Sequence, residues 1–233
     1  MNGSRSASEI AHSGLDLLNP LTPAKLDAVL DACALAPGTR ALDIGCGKGE
    51  LLLRAHRRFG TGGLGVDLSE DYIAAARANA PDDVEFRAAQ GLSVTEGGFD
   101  LAACVGSLHA LDAHPRRWLK DRVTPGGHVL FGDGYWQREP HPDYLDVLGA
   151  DAGELDDYAT LVASGEPHGL TPVYVATASQ DDWDAYSWRL IANCERDGSE
   201  DCHAYAARER ARLLAPGGRD TLGFALIAFR REG

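Results

Sequence analysis

Positions 41–50 read Ala41-Leu-Asp-Ile-Gly-Cys-Gly-Lys-Gly-Glu50. An apolar stretch ends at Ile44, glycines follow at alternate positions (Gly45, Gly47, Gly49), and an amphipathic stretch begins at Glu50. Glycine at such a junction lets the backbone turn sharply and lets a ligand lie against main chain with no Cβ in the way. The pattern predicts a strand, a tight turn and a helix. In open α/β sheets the crevice at the carboxyl ends of the strands is where ligands bind. The spacing also separates cofactors. A dinucleotide fingerprint, G-x-G-x-x-G, needs its third glycine where this chain has Glu50, which disfavours a nicotinamide oxidoreductase.

Outward from this loop, short apolar runs alternate with amphipathic ones. Strands are expected at Arg40–Ile44, Gly63–Val66, Val84–Arg87, Asp100–Val105 and His128–Gly132, with helices at about Glu50–Phe59 and Ser69–Ala80. Ser69 suits a helix cap, and Glu70 and Asp71 suit its first turn, where the helix dipole favours negative charge. Upstream, Thr22 and Pro23 mark a helix entry ahead of a Leu26, Val29, Leu30, Cys33 stripe. Downstream, short helices are expected around Tyr144–Leu148 and Glu154–Ala163, then a strand at Leu170–Ala178. The helical stripe Trp183, Tyr186, Leu190, Cys194, a helix over His203–Leu214 and a last strand at Thr221–Phe229 complete the pattern. Strand–helix alternation with apolar strands predicts a doubly wound, mostly parallel α/β sheet.

The run from Asp43, Asp-x-Gly-x-Gly-x-Gly, resembles motif I of the class I S-adenosylmethionine-dependent methyltransferases. That resemblance implies a Rossmann-like fold with a mostly parallel seven-stranded sheet, and helical insertions after strand 5 and between the last two strands. It implies that Asp43 orders the loop and approaches the methionine portion of the cofactor, while Gly45, Gly47 and Gly49 accommodate it. In Leu64-Gly-Val-Asp-Leu-Ser69, Asp67 at the tip of the neighbouring strand has the acceptors for two vicinal ribose hydroxyls, the alternative being a helix-capping acid. Leu68 would pack on the adenine face. In Ala88-Ala-Gln-Gly-Leu92 the family's usual Asp is replaced by Gln90, beside Gly91, so any contact with the adenine amino group is a neutral one. Val105 and Gly106, at the end of the central strand, would border the cofactor. Val123-Thr-Pro-Gly-Gly-His-Val-Leu130 resembles the turn that precedes the fifth strand in this family.

Asn19-Pro-Leu-Thr22, Ala102–Ser107, Gly134-Tyr-Trp136 and Asp181-Asp-Trp-Asp-Ala-Tyr186 resemble a largely uncharacterised bacterial subgroup of that family, over nearly the whole chain. The implied reaction is transfer of a methyl group from S-adenosylmethionine to a small-molecule acceptor, with S-adenosylhomocysteine as product. The alternative is a non-catalytic S-adenosylmethionine-binding module acting with a partner. His109, just beyond the central strand, is the candidate general base, set against a loop histidine that only shapes the site. Asn19, Asp133, Tyr135, Trp136 and Trp183 are candidates for substrate contact, the aromatics equally readable as packing. The chain reads as one domain over 1–233, with a flexible tail at 1–12 and substrate-side insertions at 133–168 and 179–219.

With 35 acidic against 22 basic side chains, the net charge of −13 disfavours a nucleic-acid partner. The cluster Arg54, Arg57, Arg58 reads as a solvated helix face. No apolar run is long enough to span a bilayer, and the Ser-rich start has no signal-peptide core. Five scattered cysteines suit a reducing cytoplasm. Cys194, Cys202 and His203, in a charged stretch expected to be mobile, lack the paired close spacing of a zinc site, and no metal is expected.

Overall fold

The computed structural model of the protein describes residues 5–111 and 114–233. Seven strands, β1 (Arg40–Ile44), β2 (Gly62–Asp67), β3 (Val84–Ala88), β4 (Phe99–Val105), β5 (Val123–Trp136), β6 (Leu170–Thr177) and β7 (Leu222–Arg231), form one sheet in the order β3-β2-β1-β4-β5-β7-β6. β1, β2, β3, β4 and β5 pair in parallel, and β6 pairs antiparallel with β7. The expected fold is therefore the observed one. The described helices are α1 (Ala7–Ala11), α2 (Pro23–Ala32), α3 (Glu50–Phe59), α4 (Glu70–Arg77), α5 (Pro115–Lys120), α6 (Pro142–Leu148), α7 (Tyr158–Ala163), α8 (Gln180–Asp197) and α9 (Glu200–Leu214).

The chain, expected as one domain, divides into two compact units. The sheet-bearing unit takes residues 22–133, 159–177 and 225–233. Its central strands are apolar without alternation, and Leu42, Ile44, Leu101, Ala102 and Leu130 are fully buried, as strands covered on both faces require. The order reverses between β1 and β4: from β1 the chain moves outward to β2 and β3, and from β4 to β5. Right-handed crossovers then send α3 and α5 to opposite faces, opening a crevice at the carboxyl ends of β1 and β4.

Local chemistry explains the boundaries. Ser69 caps α4 by accepting from Tyr72 N–H at 3.2 Å, but the helix ends at Arg77, short of the expected Ala80; Asn79 and Ala80 make tighter turns before Pro81. β5 begins at Val123, not His128. Val123 pairs with Phe99 and His128 with Leu101, so Thr124–Gly127 is a bulge within the strand, with Gly126 left-handed at φ 81°. The sequence reading missed α5, which starts with Pro115 at its first position and buries Trp118 and Leu119.

The helical unit takes residues 5–21, 134–158 and 178–224. Its core is Ala11, Leu190, Ile191, Cys194, Cys202, Ala206 and Leu213. This corrects two expectations. Residues 1–4 of the expected tail lie outside the described residues, but Ser6 opens α1 with a reciprocal capping box to Glu9, and α1 packs on α8 and α9. Asn193, 5% exposed, donates to the Ala11 and Ser13 carbonyls at 2.7 and 2.8 Å, and the His12 ring hydrogen-bonds the Tyr186 hydroxyl at 2.7 Å. Cys194 and Cys202 lie not in a mobile stretch but on helices held at Gly198 and wholly enclosed; burial pushes the Cys194 thiol up to about 12.

Replacing Asn193→Ala leaves two carbonyls without their donor in the core. Urea unfolding is expected to show a loss of about 1–3 kcal/mol, with faster amide exchange over α1. An unchanged midpoint would show that α1 is not anchored this way.

Candidate functional site

The loop after β1 is built on three left-handed glycines, Gly45 (φ 70°), Gly47 (φ 52°) and Gly49 (φ 80°). Gly45 and Cys46 donate to the Val66 carbonyl at 2.8 and 3.0 Å, so the turn starts as an extension of the β1–β2 pairing. Two of the glycines have reasons inside the protein. A Cβ on Gly45 would lie 2.3 Å from Ser107 Cβ, and one on Gly49 would lie 2.5 Å from the Phe86 ring. They admit neighbouring side chains as well as a left-handed turn. Gly49 begins α3 without a side-chain cap.

Asp67, at the end of β2, closes the loop. One carboxylate oxygen accepts from Gly47 N–H at 2.8 Å and the other from Ser69 N–H at 2.9 Å. The expected capping role is thus present. Each oxygen accepts only one of these bonds, so each retains acceptor capacity. Leu68 next to it is 65% exposed, a large apolar side chain left in solvent.

Asp43 faces a different environment. It is 4% exposed and accepts no hydrogen bond from the described residues. Burial, with the nearby charge of Asp67, pushes its carboxyl up to about 8. The thiols of Cys46 and Cys104 are pushed up by burial and by the Asp43 charge. At that pKa the enclosed carboxyl is largely protonated at pH 7 in the ligand-free protein.

The other expected residues gather at the same strand ends. Ala89 N–H donates to the Asp67 carbonyl at 2.9 Å, which brings the following Gln90, an exposed side chain, to the β2 tip. A Cβ on Gly91 would meet Ile44 Cγ2 at 2.6 Å. Val105 ends β4, and Gly106, at φ 70°, donates to the Gly132 carbonyl at 2.8 Å. His109 lies in a 3-10 turn over Leu108–Ala110, exposed and with no hydrogen bond to a described residue that would orient its ring. Asp133 is half-buried, with its charge felt by Cys104. Ser107, which fills the space beside Gly45, was not singled out in the sequence; a serine two residues past the strand carries no motif of its own.

The remaining candidates belong to the helical unit. Asn19 accepts from Leu21 N–H at 3.0 Å, a turn-forming role. Tyr135 is 6% exposed and meets Tyr158 edge to face at 5.5 Å. Trp136 donates from its indole to the Ala152 carbonyl at 2.8 Å, and Trp183 meets Tyr186 edge to face at 6.3 Å. Among the described residues no three His, Cys, Asp or Glu are placed to hold a metal ion, and no helix is long and apolar enough to cross a membrane.

Comparison with known proteins agrees with this geometry. Residues 41–127, from the strand of the glycine loop to the β5 bulge, match the family described as methyltransferase domain. A S-adenosylmethionine-dependent methyltransferase from Geobacter sulfurreducens, solved in complex with S-adenosyl-L-homocysteine, is 29% identical with a TM-score of 0.87, covering 96% of each chain. A second, from Thiobacillus denitrificans and in complex with the same ligand, is 28% identical with a TM-score of 0.82, covering 95% of this chain and 96% of that one. The protein YjhP of Escherichia coli K12 is 29% identical over 94% of this chain and 96% of its own. In its fold, its glycine loop and its match over residues 41–127, the chain is similar to these S-adenosylmethionine-dependent methyltransferases.

Proposed function

We propose that the protein methylates a small molecule in the bacterial cytoplasm, and that the pair of carboxylates at neighbouring strand tips, Asp43 and Asp67, seats its cofactor. The observation that carries this reading is the enclosed Asp43, which accepts no hydrogen bond from a described residue and lies near an Asp67 whose oxygens already shape the loop. A ligand with cationic character at one end and vicinal hydroxyls in its middle supplies what both lack. S-adenosylmethionine is such a ligand, and it supplies the methyl group by in-line displacement at its sulfonium, chemistry that asks for position and exclusion of water.

In this reading Asp67 accepts from the ribose hydroxyls with its remaining lone pairs. Leu68 covers the adenine face, which accounts for its exposure. Gln90 offers an amide oxygen to the adenine edge, Gly91 lets that segment close on Ile44, and Val105 and Gly106 border the ligand. Asp43 balances the charge of the methionine end. His109 acts as a base only where the acceptor must lose a proton. Asn19, Asp133, Tyr135, Trp136 and Trp183 are proposed contacts to the acceptor, within the substrate-side segments 133–168 and 179–219 apart from Asn19.

A small acceptor fits the charge. The net charge of −13 repels phosphate backbones. The basic cluster is also spoken for: Arg54 binds Asp27 and Glu50 at 3.1 Å, Arg57 binds Glu50 at 2.8 Å, and Arg58 pairs with Asp31.

Two outcomes are expected. Asp67→Ala should weaken S-adenosylmethionine binding by roughly 1.5–3 kcal/mol, the worth of hydrogen bonds to a charged group, as read by calorimetry; unchanged affinity in a folded variant contradicts the ribose assignment. Asp43 also sets a pH dependence. Its folded pKa of about 8 lies above an unfolded value of about 4. Between those values the unfolded chain releases a proton that the folded one keeps, so the ligand-free protein loses stability as pH rises. Urea titrations at pH 5 and pH 8 should show that loss, and Asp43→Asn should make it shallower. Identical slopes would mean that Asp43 is ionised in the empty protein.

A further inference from the structure

Within the helical unit, three hydrogen bonds run through two side chains that hold only two protons while the imidazole is neutral. His12, which ends α1, is 8% exposed. Its Nδ1 lies 2.8 Å from the Ser8 carbonyl oxygen, and its Nε2 lies 2.7 Å from the hydroxyl of Tyr186, on α8. That hydroxyl in turn donates to the Leu18 carbonyl at 3.0 Å. A carbonyl only accepts, so Nδ1 carries a proton. Tyr186 has one hydroxyl proton and gives it to Leu18, so Nε2 carries a proton as well. The relay from Ser8 through His12 and Tyr186 to Leu18 is complete only with a charged ring.

Loss of one proton breaks one link. With Nδ1 still donating to Ser8, the Tyr186 hydroxyl has two acceptors for a single proton, and Nε2 is the nearer. The Leu18 carbonyl then loses its donor. The bonds from Asn193 to the Ala11 and Ser13 carbonyls contain nothing that titrates, so α1 itself stays in place. Other charged or titratable groups belong to the same elements. On the N-terminal segment, Arg5 donates to the Glu9 carbonyl and to Ser13 Oγ at 2.8 Å, Glu9 is committed to the Ser6 capping box, and Asp16 is exposed. On α8, Asp182 accepts from Ser179 N–H at 2.7 Å. On α9, Tyr205 packs against the shared core, and the Arg212 guanidinium carbon lies 5.2 Å from the Trp183 ring, which itself stands edge to face on Tyr186. Burial and the arginine favour the neutral ring, and hydrogen bonding to the charged form favours the imidazolium. The arginine acts across an aromatic ring while both hydrogen-bond partners are in direct contact, so the charged form prevails.

We propose that His12 and Tyr186 form a pH-dependent latch on the N-terminal segment. Charged, His12 fastens the Leu18 carbonyl to α8 through the Tyr186 hydroxyl; neutral, it takes the hydroxyl proton for itself and releases the turn at 18–21. Asn19 goes with that turn, since its side chain accepts from Leu21 N–H. The folded pKa of His12 lies above the ordinary histidine value of about 6.5. The fastening is therefore fully present below about pH 6.5 and is lost as pH rises through the folded value. The latch lies wholly within the helical unit and does not rest on the function proposed above.

The test uses the full, ligand-free chain. Nitrogen-15 NMR of the imidazole reads the protons on Nδ1 and Nε2 directly, and the titration should place the His12 pKa about one unit above 6.5, a tenfold gain in proton affinity. Amide exchange, corrected for its intrinsic dependence on pH, should become about tenfold faster at Asn19 and Leu21 as His12 loses its proton, and stay constant at Ser13. Both readings use the parent protein, so they decide the matter whether or not a variant folds. Tyr186→Phe removes the group to which Nε2 donates; the His12 pKa should fall by about one unit and the pH dependence at Leu21 should vanish. A His12 pKa at or below 6.5 overturns the latch, as does a pKa unmoved in folded Tyr186→Phe. Exchange at Asn19 and Leu21 that ignores the titration overturns it too, and so does an equal change at Ser13, which would mean that the whole unit opens.

Discussion

The Asp67 carboxylate ties the glycine loop after β1 to the start of α4, beyond the backbone pairing that already joins the tips of β1 and β2. By accepting from Gly47 on one side and Ser69 on the other, it fixes the glycine loop to the start of α4. The main-chain carbonyl of the same residue accepts from Ala89, which brings Gln90 to the β2 tip. The same acid is close enough to Asp43 to raise its pKa. A single side chain thus shapes the loop and adds to the burial that keeps its neighbour protonated.

Much of this was legible in the sequence because the constraints are local. An apolar run ending in alternate glycines can hardly be anything but a strand tip and tight turn, and Ser69 with Glu70 and Asp71 announces a helix start. Other features were hidden because they depend on residues far apart. Ser107 matters only because Gly45 has no Cβ. The Thr124–Gly127 bulge exists because Val123 can pair with Phe99 before the turn. α1 is short, yet Asn193, 182 positions from Ala11, donates to that residue's carbonyl and to that of Ser13 just beyond the helix. The charge of the basic cluster was visible, but its neutralisation by Asp27 and Asp31 required the contact of α2 with α3.

The glycines show how one residue type serves two ends. The sequence argues for ligand space at Gly45, Gly47 and Gly49. In the structure Gly45 and Gly49 also make room for Ser107 and Phe86, so substitution there would damage the protein before any ligand is considered. Polar side chains without partners are the more specific signal. Asp43, enclosed and with no hydrogen bond from a described residue, is such a side chain.

The most direct test of the account is amide hydrogen exchange with and without S-adenosylhomocysteine, with NADH as the control dinucleotide. The account predicts that S-adenosylhomocysteine slows exchange in the glycine loop from Gly45 to Gly49, at Asp67–Ser69 and at Gln90–Ser93, while NADH leaves all three unchanged. Protection by NADH, or none by S-adenosylhomocysteine at saturating concentration, would contradict it.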